Sequence, residues 1–241
     1  METTKFTMLW ALLLTIMLNA SAQNPYAKLE KDRAKYGIEV KYSGQKPEIT
    51  DFVNAYINND KEEDFYTLHY LWKKYLQNNP LKENEKIVVD TKNGYVMMEI
   101  IGFDEHEIKK NVKTTIEMRY WNCTDQKHKI FAISVWQFIN DEDIAFDTDF
   151  NGLDFYVYNQ ATHKMIYSNG YELGFEKGIK TDTGEAIVTF DEEGYRTDAL
   201  DPFAVYKLPQ IGNDIKLILY NLPTKKEILI KWNGLKFEVQ Q

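Results

Sequence analysis

Cysteine is nearly absent from this chain: Cys123 is the only one among 241 residues. No disulfide can form within the chain, so stability has to come from a packed core. Proline is sparse, at 6 residues, and glycine contributes only 12, which excludes a collagenous or low-complexity chain. Positive charge is short as well. The 29 Lys+Arg against 37 Asp+Glu leave −8 with His neutral, without the basic surplus a general nucleic-acid binder needs. No glycine-rich phosphate loop and no G-x-S-x-G nucleophile elbow occur. His106-Glu107-Ile108-Lys109-Lys110 begins like a zinc-protease helix but carries Lys110 where the second histidine must stand.

Long apolar runs are also missing, apart from Phe6 to Leu18. Those 13 residues are too few to span a bilayer and suit a signal-peptide core. Lys5 flanks the run, and Ala20-Ser21-Ala22 offers a small-x-small cleavage site. Residues 1–22 are therefore expected to be removed, leaving a periplasmic or secreted chain that starts at Gln23. That chain has no transmembrane segment and still carries −8, because Glu2 and Lys5 cancel.

What is present is ordinary globular material, 44% hydrophobic and 27% charged. Asn24, Pro25 and Gly37 bracket a first helix. Ile38, Val40 and Tyr42 alternate as a short strand. Ile49, Phe52, Val53, Tyr56 and Ile57 recur with helical period over residues 47–59. Phe65, Leu68, Trp72 and Leu76 form a second stripe over 60–79, which Pro80 closes; His69 lies on it as a core histidine. From about residue 86 the period becomes two. Strands are expected at 95–100, 115–121, 130–138, 153–158, 186–190, 215–220, 227–232 and 235–239. Asn93-Gly94, Asn151-Gly152, Asn169-Gly170 and Asn233-Gly234 mark tight turns between them. Helices first and strands afterwards predict an α+β fold: short N-terminal helices followed by a mainly antiparallel β-sheet or β-sandwich. This is read as a single α+β domain over 23–241, helical at 23–80 and β-rich at 86–241. Residues 171–203, broken by glycines and crowded with acids, are expected to be irregular apart from the strand at 186–190.

Three stretches, residues 117–138, the hairpin 155–165 and the ending 212–237, resemble a group of exported proteins of unknown function from Gram-negative gut bacteria. The resemblance implies an exported, β-rich, single-chain protein. Its motifs are hairpin motifs, and no catalytic residue comes with them.

Two candidate sites remain. Tyr120, Trp121 and Trp136 fall on neighbouring strands of a chain holding 5 Trp, 16 Tyr and 13 Phe. Exposed, they would stack on sugar rings or grip a peptide; otherwise they are core. Asp147-Thr148-Asp149-Phe150-Asn151-Gly152 fits D-x-D-x-N-G, the opening of a calcium loop, with Asp147, Asp149 and Asn151 as oxygen ligands. Position twelve is Tyr158 rather than the bidentate Glu, so this is no EF-hand, and the competing reading is an acidic Asn-Gly turn. No cofactor is expected, calcium at this loop being the one alternative. Cys123 reads as a structural thiol, and His128 and His163 as exposed residues of hairpin turns. The function expected is non-enzymatic binding of a glycan or peptide. Its rivals are a small hydrolase using acidic residues and a structural subunit of an envelope complex.

Overall fold

The computed structural model describes residues 24–59, 66–103, 111–139, 152–180, 184, 186–191, 196–198, 204–220 and 226–239. Residues 1–22, read above as a leader, together with Phe65 and the expected calcium ligands Asp147, Asp149 and Asn151, lie outside the described residues.

Helix α1 covers Ala27–Arg33 and runs into a 3-10 turn at Ala34–Tyr36. Asn24 opens it by accepting the Tyr26 N–H at 2.9 Å. Strand β1 is short, Ile38–Glu39, followed by helices α2, Ile49–Asn59, and α3, Tyr66–Leu76. Strands β2 (Glu85–Asp90), β3 (Tyr95–Phe103), β4 (Asn111–Asn122), β5 (His128–Ile139), β6 (Gly152–Asn159) and β7 (Lys164–Ser168) come next. With β1 they make a seven-stranded sheet in the order β1-β7-β6-β5-β4-β3-β2, and every pairing is antiparallel. A three-stranded sheet holds β8 (Ile179–Lys180), β9 (Ala186–Phe190) and β10 (Arg196–Asp198). The last sheet is β11 (Ala204–Lys207), β12 (Ile215–Leu219), β13 (Lys226–Trp232) and β14 (Phe237–Val239), again antiparallel. The fold is α+β and rich in strand, as the sequence pattern predicts.

Alternation along the central strands explains the layering, because neighbours in a strand point to opposite faces. Val96 and Met98 on β3, Ile116 and Met118 on β4, Phe131 and Ile133 on β5, and Tyr156 and Tyr158 on β6 face helices α2 and α3. There they meet Ile49, Phe52, Val53, Leu68, Leu71 and Trp72, all buried. The intervening residues, Trp121, Ile130, Ala132, Phe155 and Val157, face the four-stranded sheet and pack on Tyr206, Leu217, Ile230 and Phe237. Tyr26 and Leu29 bring α1 to this second face, opposite the other helices. The large sheet is thus covered on both sides.

Buried polar groups tie these layers together. Glu85 on β2 accepts from Lys74 Nζ (2.5 Å), Tyr70 Oη (2.8 Å) and the Lys82 N–H (2.9 Å), fastening α3 to the sheet edge. Burial opposes its ionisation, yet these donors hold its carboxyl down at about 2. Between the two sheets, Glu117 accepts from Tyr95 Oη at 2.8 Å and from the Leu208 N–H at 2.6 Å. Arg119 donates to the Pro209 and Gly212 carbonyls and to Asn213 Oδ1, holding the 209–213 loop against the sheet.

The fold departs from the expectations in a few places. The strand expected over 38–42 ends at Glu39. Asn169-Gly170 makes no hairpin: Gly170, at φ 97°, leads into a 3-10 turn at Tyr171–Leu173. The acidic, glycine-rich stretch is more ordered than expected, holding β8 and β10 beside β9. Gly174 shows why glycine is needed there. At φ 102°, a Cβ would lie 2.1 Å from the Phe237 carbonyl oxygen.

Candidate functional site

The aromatic candidates do not come together. Trp121 and Trp136 are only 2% and 5% exposed. Trp121 donates from Nε1 to the Asn213 carbonyl at 2.8 Å and is enclosed by Arg119, Trp232 and Phe237. Trp136 packs with Phe138 and Val205. Trp121 opposes Ile130 and Trp136 opposes Thr115, so they sit at opposite ends of the β4–β5 ladder, about 20 Å apart. Tyr120 is on the other face, packed towards the helices. The physical reason is two-sided covering: a sheet buried on both faces has no bare face on which to display tryptophans.

His128 also needs correcting, since it is buried rather than exposed. Its Nδ1 meets Asp125 Oδ2 at 2.5 Å and its Nε2 meets Glu30 Oε1 at 3.0 Å. Asn159 Nδ2 donates to the same Glu30 oxygen. This knot fastens α1 to the β4–β5 turn. Both ring nitrogens are engaged by acids. Cys123 lies nearby, buried, with its sulfur 3.7 Å from Tyr26 Oη. Burial pushes its thiol up to about 12, which suits a packing role and not a nucleophile. His163 is exposed and stacks on Tyr42 at 5.3 Å. Among the described residues, no group of three His, Cys, Asp or Glu side chains is placed to hold a metal ion.

An open cleft of about 260 Å³ lies between α2 and β1. Its helix wall presents Asp51, Asn54, Ala55, Asn58 and Asn59, and its strand wall Ile38, Glu39 and Lys41. The spacing accounts for the helix wall. Positions 51, 54, 55, 58 and 59 follow the helical period, one face round from the buried stripe of Ile49, Phe52 and Val53. Asn54 is fixed in place, its Oδ1 accepting Trp72 Nε1 at 2.7 Å. Asp51 accepts the Glu48 N–H at 2.8 Å.

A tyrosine ladder adjoins this cleft. Tyr56 on α2, Tyr156 on β6 and Tyr167 on β7 meet edge to face, with centroids 5.9 and 5.6 Å apart. Tyr167 is 41% exposed and its hydroxyl donates to Asp154 Oδ1 at 3.4 Å. None of the three rings lines the cleft; the ladder reaches it through Tyr56, next to Ala55 on α2, and Tyr167 lies on the side of Ile38 away from Glu39 and Lys41. Ile38 pairs with Met165, and Tyr167 follows two residues on along the same face. Tyr56 neighbours Asn59 at the i, i+3 spacing.

A second groove, of about 410 Å³, runs beside β14 and is lined by Glu176, Lys177, Asn233, Lys236 and Glu238. Its only ring is Phe237, which is buried, so it offers a ligand no aromatic face.

Sequence reasoning missed the cleft. Asn54 and Asn58 are spaced i, i+4, a polar stripe that otherwise reads as a solvated face. Tyr156 and Tyr167 lie in strands whose pairing alone brings them to Tyr56. No protein-family model, no curated protein and no solved structure matches the chain.

Proposed function

We propose that the protein is an exported, non-enzymatic binding protein of the periplasm or cell surface, and that its cleft between α2 and β1 takes a glycan. The observation that carries this reading is the lining: three asparagine amides and two carboxylates, near a tyrosine ladder whose outer member, Tyr167, is 41% exposed while Tyr156 is buried. Amides and carboxylates are planar groups that exchange hydrogen bonds with vicinal hydroxyls, and tyrosine faces pack against the C–H face of a sugar ring. An extended peptide would instead call for apolar side-chain pockets along a strand edge. Export is supported by the apolar run before Ala20-Ser21-Ala22, and the exported β-rich group that the hairpins resemble fits the same address.

A hydrolytic reading has one observation in its favour, since Glu39 and Asp51 line the cleft from opposite walls. Glycoside hydrolysis needs one acid set in an apolar pocket and a partner facing it. Here Glu39 is exposed beside Lys41, and Asp51 is engaged by a backbone N–H, an arrangement that favours binding over turnover.

Calorimetry of the mature chain against a panel of soluble oligosaccharides tests the reading. Saturable heat with at least one of them is expected, weakened about 5- to 10-fold in Tyr167→Ala, which removes a stacking face worth about 1 kcal/mol or more. No new reducing ends should form during the incubation. Mass spectrometry of exported material should show a chain starting at Gln23. Absence of binding across the panel, or unchanged affinity in Tyr167→Ala, contradicts the glycan proposal. The calcium proposal at Asp147, Asp149 and Asn151 is decided separately by calcium titration of wild type against Asp149→Ala, where a Kd of about 10⁻⁴ to 10⁻³ M is expected.

A further inference from the structure

Beneath the first turn of α2 lies a polar group that neither the fold nor the cleft explains. Asn122, Lys129 and Tyr158 are direct neighbours across β4, β5 and β6, in one row on the helix-facing side of the sheet. Directly opposed residues of this kind have Cβ atoms about 5 Å apart. Lys129 is 3% exposed. Of its three N–H bonds, one goes to Asn122 Oδ1, and the ammonium lies 4.4 Å from the Tyr120 ring centroid. Among the described residues no carboxylate pairs with it, and none pairs with Lys46. Burial first, and the charge of Lys46 second, push the Lys129 amine down to about 8. The buried ammonium thus feels a second positive charge and has no paired carboxylate among the described residues, which is an unfavourable arrangement when left alone.

Tyr158 adds the second, independent sign. Its side chain is completely buried, and its hydroxyl has no hydrogen-bond partner. Burial first, and then the nearby Tyr42 hydroxyl, push the Tyr158 hydroxyl's pKa up, but the Tyr42–Tyr158 pair does not meet hydrogen-bond geometry. A buried, unsatisfied hydroxyl costs about 1–3 kcal/mol. Phe52, in the first turn of α2, meets both Tyr158 and Tyr120, with ring centroids 5.1 and 5.4 Å apart, so the positive end of that helix overlies the same row. The acids nearest are Asp51, close to Tyr158, and Glu48, close to Tyr120. Asp51 is already engaged by the Glu48 N–H, and neither acid pairs with either lysine.

We propose that Lys129, Lys46 and Tyr158 form a binding site for an oxyanion, a carboxylate or a sulfate group. One anion oxygen would accept from Lys129 Nζ and the other from the Tyr158 hydroxyl, while Lys46 closes the site from the solvent side. Lys46 and the segment before it, Ser43 to Gln45, are exposed, as is Asn122. The buried ammonium is thus one layer of side chains from water. This site goes beyond the glycan reading and stands without it.

The test titrates the mature chain at pH 7 with sodium acetate and, separately, with sodium sulfate, each against sodium chloride at matched ionic strength. NMR follows the Lys129 Cε–H and Tyr158 ring signals. A saturable shift of both residues with acetate, sulfate or both is expected; the anion that saturates at lower concentration identifies the group. Lys129→Met should weaken it about 10-fold or more, the scale of a charge-assisted hydrogen bond. Tyr158→Phe should weaken it about 5-fold while raising Tm in chloride, since it deletes an unpaired buried hydroxyl. A linear drift equal to that in chloride overturns the proposal, as does a saturable response that Lys129→Met retains in full. Should Lys129→Met fail to fold, Tyr158→Phe decides: unchanged anion affinity in that variant is likewise contrary to the proposal.

Discussion

Glu117 lies between the two sheets, 8% exposed, and its substitution by glutamine gives a sharp test of the layered core. Burial is the largest influence on its carboxyl and raises it from 4.5 to about 7, against the lowering effect of the Tyr95 hydroxyl, the Leu208 N–H and Lys207. A carboxyl raised on folding binds its proton more tightly in the native state than in the unfolded chain. Its contribution to stability is therefore complete below about pH 4.5, declines as pH rises, and is lost above about pH 7. At about 1.4 kcal/mol per pH unit, the native state gives up about 3 kcal/mol over that interval. Arg119 is buried nearby, but its two terminal nitrogens donate to the 209–213 loop and its Nε–H is unpaired, so no N–H of it reaches the carboxylate. In Glu117→Gln the Tyr95 hydroxyl keeps an amide oxygen to donate to, and the titration disappears. Urea unfolding of both proteins between pH 4 and pH 8 isolates the effect, because the other carboxyls are common to both and cancel in the difference. The wild type should lose about 3 kcal/mol relative to the variant as pH rises from 4.5 to 7. A difference that stays flat, or one that grows in favour of the wild type with rising pH, refutes the reasoning.

Phe52 touches Tyr120, Phe131 and Tyr158 and is completely buried, so Phe52→Ala should cost about 3–5 kcal/mol in denaturant unfolding; a loss under 1 kcal/mol would contradict the packing of α2 on the sheet. Gly174→Ala introduces a methyl 2.1 Å from the Phe237 carbonyl oxygen at a backbone angle that L-residues rarely adopt. It should lower Tm by several degrees in calorimetry, and an unchanged Tm would mean that the 3-10 turn does not rest on β14.

The elements themselves were largely legible, because period and burial agree in them. Ile49, Phe52 and Val53 announce α2, and β9 falls on Ala186–Phe190 as expected. The short edge pieces β8 and β10 were less visible, since two or three residues carry no period and form only through a neighbour's hydrogen bonds, while β1 was visible but shorter than its alternation suggested. The candidate site was hardly legible at all. It depends on pairing: Tyr156 meets Tyr167 across β6 and β7, under Tyr56 of α2, and no local pattern in either strand encodes that pairing. Tyr120, Trp121 and Trp136 misled for the opposite reason. Their neighbouring strands were apparent, but the second sheet and the helices that bury the two faces were assembled from distant residues. His128 likewise sits next to a lysine in a turn and becomes buried only when Glu30, almost a hundred positions earlier, closes over it.

The central claim is that the cleft between α2 and β1 is where a glycan binds. Amide-detected NMR of a chain starting at Gln23, titrated with an oligosaccharide that gives heat in calorimetry, tests it most directly. The account predicts saturable shifts of the Asn54, Asn58 and Asn59 side-chain amides and of the Tyr56 and Tyr167 signals, with the 209–213 loop on the opposite face unmoved. Shifts confined to the groove beside β14 or to the 209–213 loop, with the three asparagines silent, would contradict it.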